Sequence, residues 1–426
     1  MSPHTLIRSK RSLALGLVGA LAATSMAACG SDSSDSSPSD SQTFSGPPLT
    51  VQINTAIDTT LADFAGTVAA VKASARAINA EGGIQGREVV VESCNTKVEP
   101  NQEVACARDT VKNKAVVTIG SQILSRAQDY LDILGKAGIA DLGADPIQPA
   151  FNQATNSYPT AYSIAGLASC TSPKMADLAG GKRVVSAYID IPQSAPLAGI
   201  IEQTTKEQGL TYAGAVPFSA SATDFGPIVQ KIDDLDADVV VMAAGVAQFA
   251  SLFQEASLTG RKFDVCTAGN TNLAQVLAPL GEAADRMYLG LALPPLSAAD
   301  DIPALKEYKK DMAAELKSGD KEADISGFKG DISQVQAWVG MKIIAQVAGA
   351  VQGEITAQSF QAELNKTKFD GLGILPEIDF GKPNTYGDLT RVFNPFTSLQ
   401  QWDSKLQNFK LVPDSKQDSA AVLAGQ

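Results

Sequence analysis

From Pro48 onward, short apolar runs of strand length alternate with longer amphipathic stretches. "LTVQINTAI" (49–57) is a β-rich run, followed by a helical stretch from Asp63 to Ala80. "REVVVESC" (87–94) predicts a strand and "NQEVACARDTVKN" (101–113) a helix. "AVVTIG" (115–120) and "GIADLG" (138–143) predict strands on either side of a helix from Ser125 to Lys136. Repeated strand–helix units of this length predict a parallel sheet covered on both faces.

A second series follows "SYPTAYSIAGLASC" (157–170). "RVVSAYI" (183–189), "LTYAGAVPF" (210–218), "DVVVMAAG" (238–245) and "KFDVCTAG" (262–269) predict strands, with helices at 195–208, 224–235 and 247–258 between them. After the punctuation of "ALPPLSAADD" (292–301), long helices are expected at about 303–317 and 331–352, and short strands and turns from Phe369 to Val412. The fold class expected is α/β, two Rossmann-like lobes with parallel sheets. The mixed-charge run 306–324 is expected to be a solvated helix face with its loop. Trp338 and Trp402 are expected in the core, whereas core and ligand site stay open for Phe225 and Phe249.

The N-terminus belongs to a different pattern. Arg8, Lys10 and Arg11 precede the apolar stretch Ser12–Ala23, which is too short to span a bilayer at roughly 20 residues. Small residues follow up to Cys29, so residues 1–28 are expected to be a removable export signal. "Met26-Ala27-Ala28-Cys29" resembles the bacterial lipobox, with Met26 where Leu is usual, and this implies a lipid on Cys29. Cleavage at an Ala-x-Ala site is the other reading, for which Ala23-Thr24-Ser25 is a poor match. The Ser/Asp/Gly stretch 29–47 is expected to be a disordered tether, and residues 415–426 a C-terminal tail. The expected location is extracytoplasmic, held at the cell membrane by the N-terminal lipid.

Removing that signal changes the chemistry available. It takes away His4, the only histidine of the chain, and with it any Ser-His-Asp or Cys-His mechanism and the commonest zinc ligand. It also takes three of the 34 basic residues and none of the 46 acidic ones. An acidic chain of this kind lacks the basic patch that nucleic-acid binding needs. Four cysteines remain, Cys94, Cys106, Cys170 and Cys266, an even number that suggests disulfides with three possible connectivities. Cys94 at a strand end and Cys106 in the next helix make a short bridge plausible, which pairs Cys170 with Cys266 by elimination. No nucleotide-binding glycine loop, Walker loop or CxxC occurs in the right context, and no metal, cofactor or catalytic residue is expected.

In open parallel sheets ligands bind beyond the carboxyl ends of the strands. The candidates there are Ser121, Gln122 and Ser125, then Ala144, Asp145 and Pro146, in the first lobe. In the second they are Asp190, Gln193, Ser194, Gly245, Gly269 and Asn270. Hydroxyls, amides and backbone donors dominate, a chemistry suited to holding a ligand.

"INAEGGIQGREVVVESCNTKVEPNQEVACARDTV" (78–111), "VVTIGS", "GIADLGADP" and "FDGLGILPEIDFGKP" together resemble the type I periplasmic binding proteins, specifically the branched-chain amino-acid-binding branch. The resemblance spans about Leu49 to Val412. It implies two lobes joined by a three-crossover hinge, near Gly166, Leu296 and Thr390, closing on a small solute for delivery to the permease subunits of an ABC importer. The lobes would comprise 48–166 with 297–390, and 167–296 with 391–414, acting as a monomer. In amino-acid-binding members a Ser after the third strand, a Thr after the fourth, an acidic residue and an aromatic residue grip the ligand. Leu124, Ile147, Gly269-Asn270 and Ser194 stand at those positions here. An ammonium without a carboxylate is costly to bury, so only Asp145 or Asp190 remains to compensate, and small neutral or anionic solutes gain ground. A sensory lipoprotein of the same fold and a carboxylate-dependent exported hydrolase are the alternatives.

Overall fold

Two mainly parallel sheets organise the chain, each with the strand order of a doubly wound layer. The computed structural model describes residues 44–59, 63–144, 146, 148–161, 163–191, 194–269, 273–326 and 332–425, all within the compact unit Gln42–Gln426. Cys29 and the export signal lie outside the described residues. The first sheet contains β1 (Leu49–Thr55), β2 (Val89–Asn95), β3 (Val117–Ile119), β4 (Ala140–Leu142) and β5 (Ser157–Tyr158) in the order β2-β1-β3-β4-β5. All its pairings are parallel.

The second sheet repeats that order with β6 (Arg183–Ile189), β7 (Thr211–Phe218), β8 (Val239–Ala243), β9 (Asp264–Ala268) and β10 (Met287–Leu291), arranged β10-β9-β8-β6-β7. Two pairs in the tail, β11 (Lys368–Phe369) with β12 (Ile378–Asp379) and β13 (Asn384–Tyr386) with β14 (Leu389–Val392), are small antiparallel ribbons. Then β15 (Phe396–Asp403) joins the edge of β10 antiparallel, followed by β16 (Asn408–Leu411) and β17 (Gln417–Asp418), both paired to β15. The second sheet is therefore mixed, where a parallel one was expected. A hairpin from the chain's end satisfies an edge that a further crossover helix would otherwise have to reach.

The chain passes between the two sheets three times. After β10 it returns to the first sheet, where helices Pro303–Lys317 and Ile332–Ala350 share a core with Val51, Ile53, Val117 and Ile119. Ile332–Ala350 is buried on nearly every side. It sits so close to β3 that a side chain at Gly340 would meet Ile119 Cδ1 at 2.2 Å. Trp338 and Trp402 are fully buried, in the first and second cores respectively. Phe225 and Phe249, left open from sequence, are both core residues of the second sheet.

Predicted strands and helices match the observed ones to within about two residues, with differences at the ends. Strands β5 and β10 and helices Gly166–Cys170, Pro173–Ala179 and Ala357–Leu364 carry no sequence expectation. The mixed-charge run needs correction too. Asp311 and Glu315 face inward, Asp311 accepting from Trp338 Nε1 at 2.8 Å and Glu315 pairing with Arg76 at 2.6 Å. Asp311 and Glu315 are four residues apart and so share the inward stripe of helix Pro303–Lys317.

Both disulfides form, Cys94–Cys106 tying β2 to helix Pro100–Lys112 and Cys170–Cys266 tying helix Gly166–Cys170 to β9. Helix Gly166–Cys170 also lies against β10. A Cβ on Gly166 would come within 2.0 Å of the Gly290 carbonyl oxygen, and one on Gly290 within 2.1 Å of that of Gly166. Only a glycine pair permits this backbone contact.

Candidate functional site

In the order 2-1-3-4-5 the winding direction reverses between the first and third strands, and a crevice opens beyond their carboxyl ends. In the first sheet this is the β1/β3 boundary, where Thr55 ends β1 and Gly120-Ser121-Gln122 leaves β3. The chain turns there because Gly120 and Gly143, just past β3 and β4, adopt φ of 58° and 66°, the left-handed region.

Ser121 is fully buried, and its hydroxyl shares a hydrogen bond with Tyr130 OH at 2.9 Å. That places it inside the helix–sheet layer. Gln122 is 6% exposed and donates its backbone N–H to Asn54 O at 3.0 Å, while its Oε1 has no protein partner. Thr55, which carried no sequence expectation, is fully buried with its Oγ1 likewise unpartnered. Its place at the reversal of strand order was the available signal.

Ser125 is exposed and does not cap the helix that follows. That helix, Ala127–Lys136, has no side-chain cap at its N-cap residue. Instead the buried carboxylate of Glu103 accepts from three successive backbone N–H groups: Leu124 at 2.8 Å, Ser125 at 3.1 Å and Arg126 at 2.7 Å. Donors converging at a helix start favour an anion, and here the anion belongs to the chain.

Ala144 and Pro146 are buried beyond β4, whereas Asp145, Gln193 and Asn270 lie outside the described residues. In the second sheet the reversal falls between β6 and β8. Asp190, just beyond β6, is exposed and donates its N–H to Phe218 O. Ser194 is 9% exposed and precedes helix Ala195–Glu207. Gly245, exposed, precedes helix Val246–Thr259, and Gly269 takes φ of 85° after β9. Among the described residues no group of three or more His, Cys, Asp or Glu could hold a metal ion. No described helix is long and apolar enough to cross a membrane.

Behind this edge runs a buried polar network. Asn54 Nδ2 donates to Tyr130 OH at 2.8 Å and to Thr110 Oγ1 at 3.0 Å, and Thr118 Oγ1 donates to Asp141 Oδ2 at 2.9 Å. Burial pushes the Asp141 carboxyl up to about 6, against the pull of the Ser121, Thr118 and Tyr130 hydroxyls. An acid whose folded value lies above its unfolded one stabilises the native state below the unfolded value, and that contribution is lost as pH rises through the folded value. Asp141 therefore costs about 3 kcal/mol at neutral pH relative to pH below 4. In Asp141→Asn, chemical denaturation between pH 4 and 8 is expected to show a pH dependence flatter by that amount. Parallel curves for the two proteins would show that this carboxyl does not titrate in the range.

Comparison with known proteins gives three findings. The model of a family described as periplasmic binding protein matches residues 59–403. The leucine-specific-binding protein of Salmonella typhimurium is 22% identical over 322 residues, covering 71% of this chain and 81% of the relative. Two solved structures share the fold. One is a fatty acid ABC transporter substrate-binding protein from Thermomonospora curvata, with TM-score 0.67, 15% identity, and coverage of 89% of this chain and 95% of the other. The other is an R. palustris ABC transporter solute-binding protein in complex with 4-hydroxybenzoate, with TM-score 0.66, 18% identity, and coverage of 87% and 97%.

Proposed function

Because the chain belongs to the periplasmic binding protein family, whose members bind solutes and catalyse nothing, we propose that it captures a small polar solute outside the cytoplasm and delivers it to an ABC importer. The observation that carries this reading is the pair of doubly wound sheets in one chain, each with its strand-order reversal. A ligand touching both strand-end regions favours a closed arrangement by its differential affinity for it. The lobes are assigned to 48–166 with 297–390 and to 167–296 with 391–414, an assignment supported by the return of Ile332–Ala350 to the first core and of β15 to the second sheet. Cys29 is assigned the lipid anchor, with the stretch to Pro47 as tether, and the protein acts as a monomer.

Relatives named for leucine, a fatty acid and 4-hydroxybenzoate set the range of solutes to try. The chain from residue 29 onward is expected to gain thermal stability with its solute, by about 4 kcal/mol at a thousandfold excess over Kd. The same solute is expected to reduce the radius of gyration in X-ray scattering. A stabilising solute that leaves the radius unchanged argues against closure, and turnover of the solute argues against a binding protein altogether. In cells, a fatty-acid label is expected on the protein and absent from Cys29→Ser.

A further inference from the structure

Two observations at the first sheet bear on what the solute presents there. Thr55 and Gln122 flank the β1/β3 reversal, within a residue of each other through the Gln122 N–H bond to Asn54 O. Both are more than nine-tenths buried, and Thr55 Oγ1 and Gln122 Oε1 have no protein partner. Buried polar atoms are hydrogen-bonded in nearly all folded proteins, so two at one ligand-binding edge point to a partner supplied by the ligand. An amide oxygen only accepts, so that partner must donate; a threonine hydroxyl can do either.

The second observation concerns anions. The backbone N–H groups of Leu124, Ser125 and Arg126, beginning two residues after Gln122, are the donors that would hold a carboxylate, and Glu103 occupies all three. A solute carboxylate at this edge would find those donors taken, a fixed negative charge beside it, and a Gln122 oxygen that repels its own.

Resting on the solute-binding reading, we propose that the group seated at the first sheet is a neutral hydrogen-bond donor, a hydroxyl or primary amide. Gln122 and Thr55 are its direct partners. Glu103 is a positioning residue that shapes the loop and closes it to anions. The solute class is thereby narrowed to uncharged polyols, amides and hydroxylated compounds.

The test uses matched pairs differing only at one group: benzoate with benzamide, hexanoate with hexanamide, and leucine with leucinamide, beside glycerol and inositol. Calorimetry on the chain from residue 29 onward is expected to favour the amide or hydroxyl member tenfold or more. Gln122→Leu is expected to abolish that preference without lowering the melting temperature of the ligand-free protein. Glu103→Gln, which retains an acceptor for the loop, is expected to raise affinity for the carboxylate members several-fold. Tighter binding of the carboxylate members by the wild type, or an undiminished preference in Gln122→Leu, overturns this assignment and leaves the solute-binding reading standing. Failure of every compound to bind overturns both.

Discussion

Replacing Cys170 and Cys266 together by alanine will lower the free energy of unfolding by about 4.7 kcal/mol, the chain-entropy value for a loop of their 96-residue separation. The bridge joins helix Gly166–Cys170, at the exit from the first sheet, to β9 in the middle of the second. Both sulfurs are fully buried among Leu167, Val241 and Tyr288. Deleting two buried sulfur atoms forfeits packing as well, which adds to the loss of the constraint on the unfolded chain. The shorter Cys94–Cys106 loop, with a separation of 12, contributes about 3 kcal/mol by the same relation. Urea titrations of the wild type and of each double variant measure both. A cost for the first pair no larger than for the second would mean that the unfolded state is already compact around residues 170–266.

Glu103→Ala will cost ~3 kcal/mol, because it removes a buried carboxylate that accepts from three backbone N–H groups at a helix start. Glu103→Gln will cost less, keeping one acceptor oxygen for the loop. The diagnostic result is rescue: 0.1 M formate should restore part of the stability of Glu103→Ala and do nothing for the wild type. An alanine variant as stable as the wild type would show that solvent satisfies these donors equally well.

Apart from the two-residue β5, the strands of both sheets up to β9 are legible in the sequence because each is a bounded β-rich run, and β1, β6, β8 and β9 are buried along most of their length. β10 is not, since "MYLGL" is short and holds a glycine. That glycine weakens the strand signal for the reason it is present, which is contact with the backbone at Gly166. Helix Ala357–Leu364 is set by a capping box on Thr356 and Ser359, a polar pattern that is easily passed over.

At the candidate site, the residues beyond each strand could be enumerated, but their partners could not. Ser121 resembles a ligand-facing hydroxyl until Tyr130 arrives from the next helix. Glu103 was the more informative omission. It lies on the buried stripe of its helix with Cys106, Ala107 and Thr110, at i, i+3, i+4 and i+7. A charge on an inward stripe announces an internal partner, and reading that helix by its period would have found it. The identity of the partner, a loop 21 to 23 residues further on, is a property of the tertiary fold alone.

The interleaving of the two sheets has a consequence for biosynthesis. β1–β5 are all synthesised by Tyr158, yet the helix that seals their core begins only at Ile332. β10 is complete at Leu291, yet its edge is not covered until β15 appears at Phe396. A chain terminated shortly before that strand carries a nearly full second sheet with one bare parallel edge, a template for pairing with any other extended segment. Until β15 arrives, the product carries that bare edge and is prone to aggregate through it.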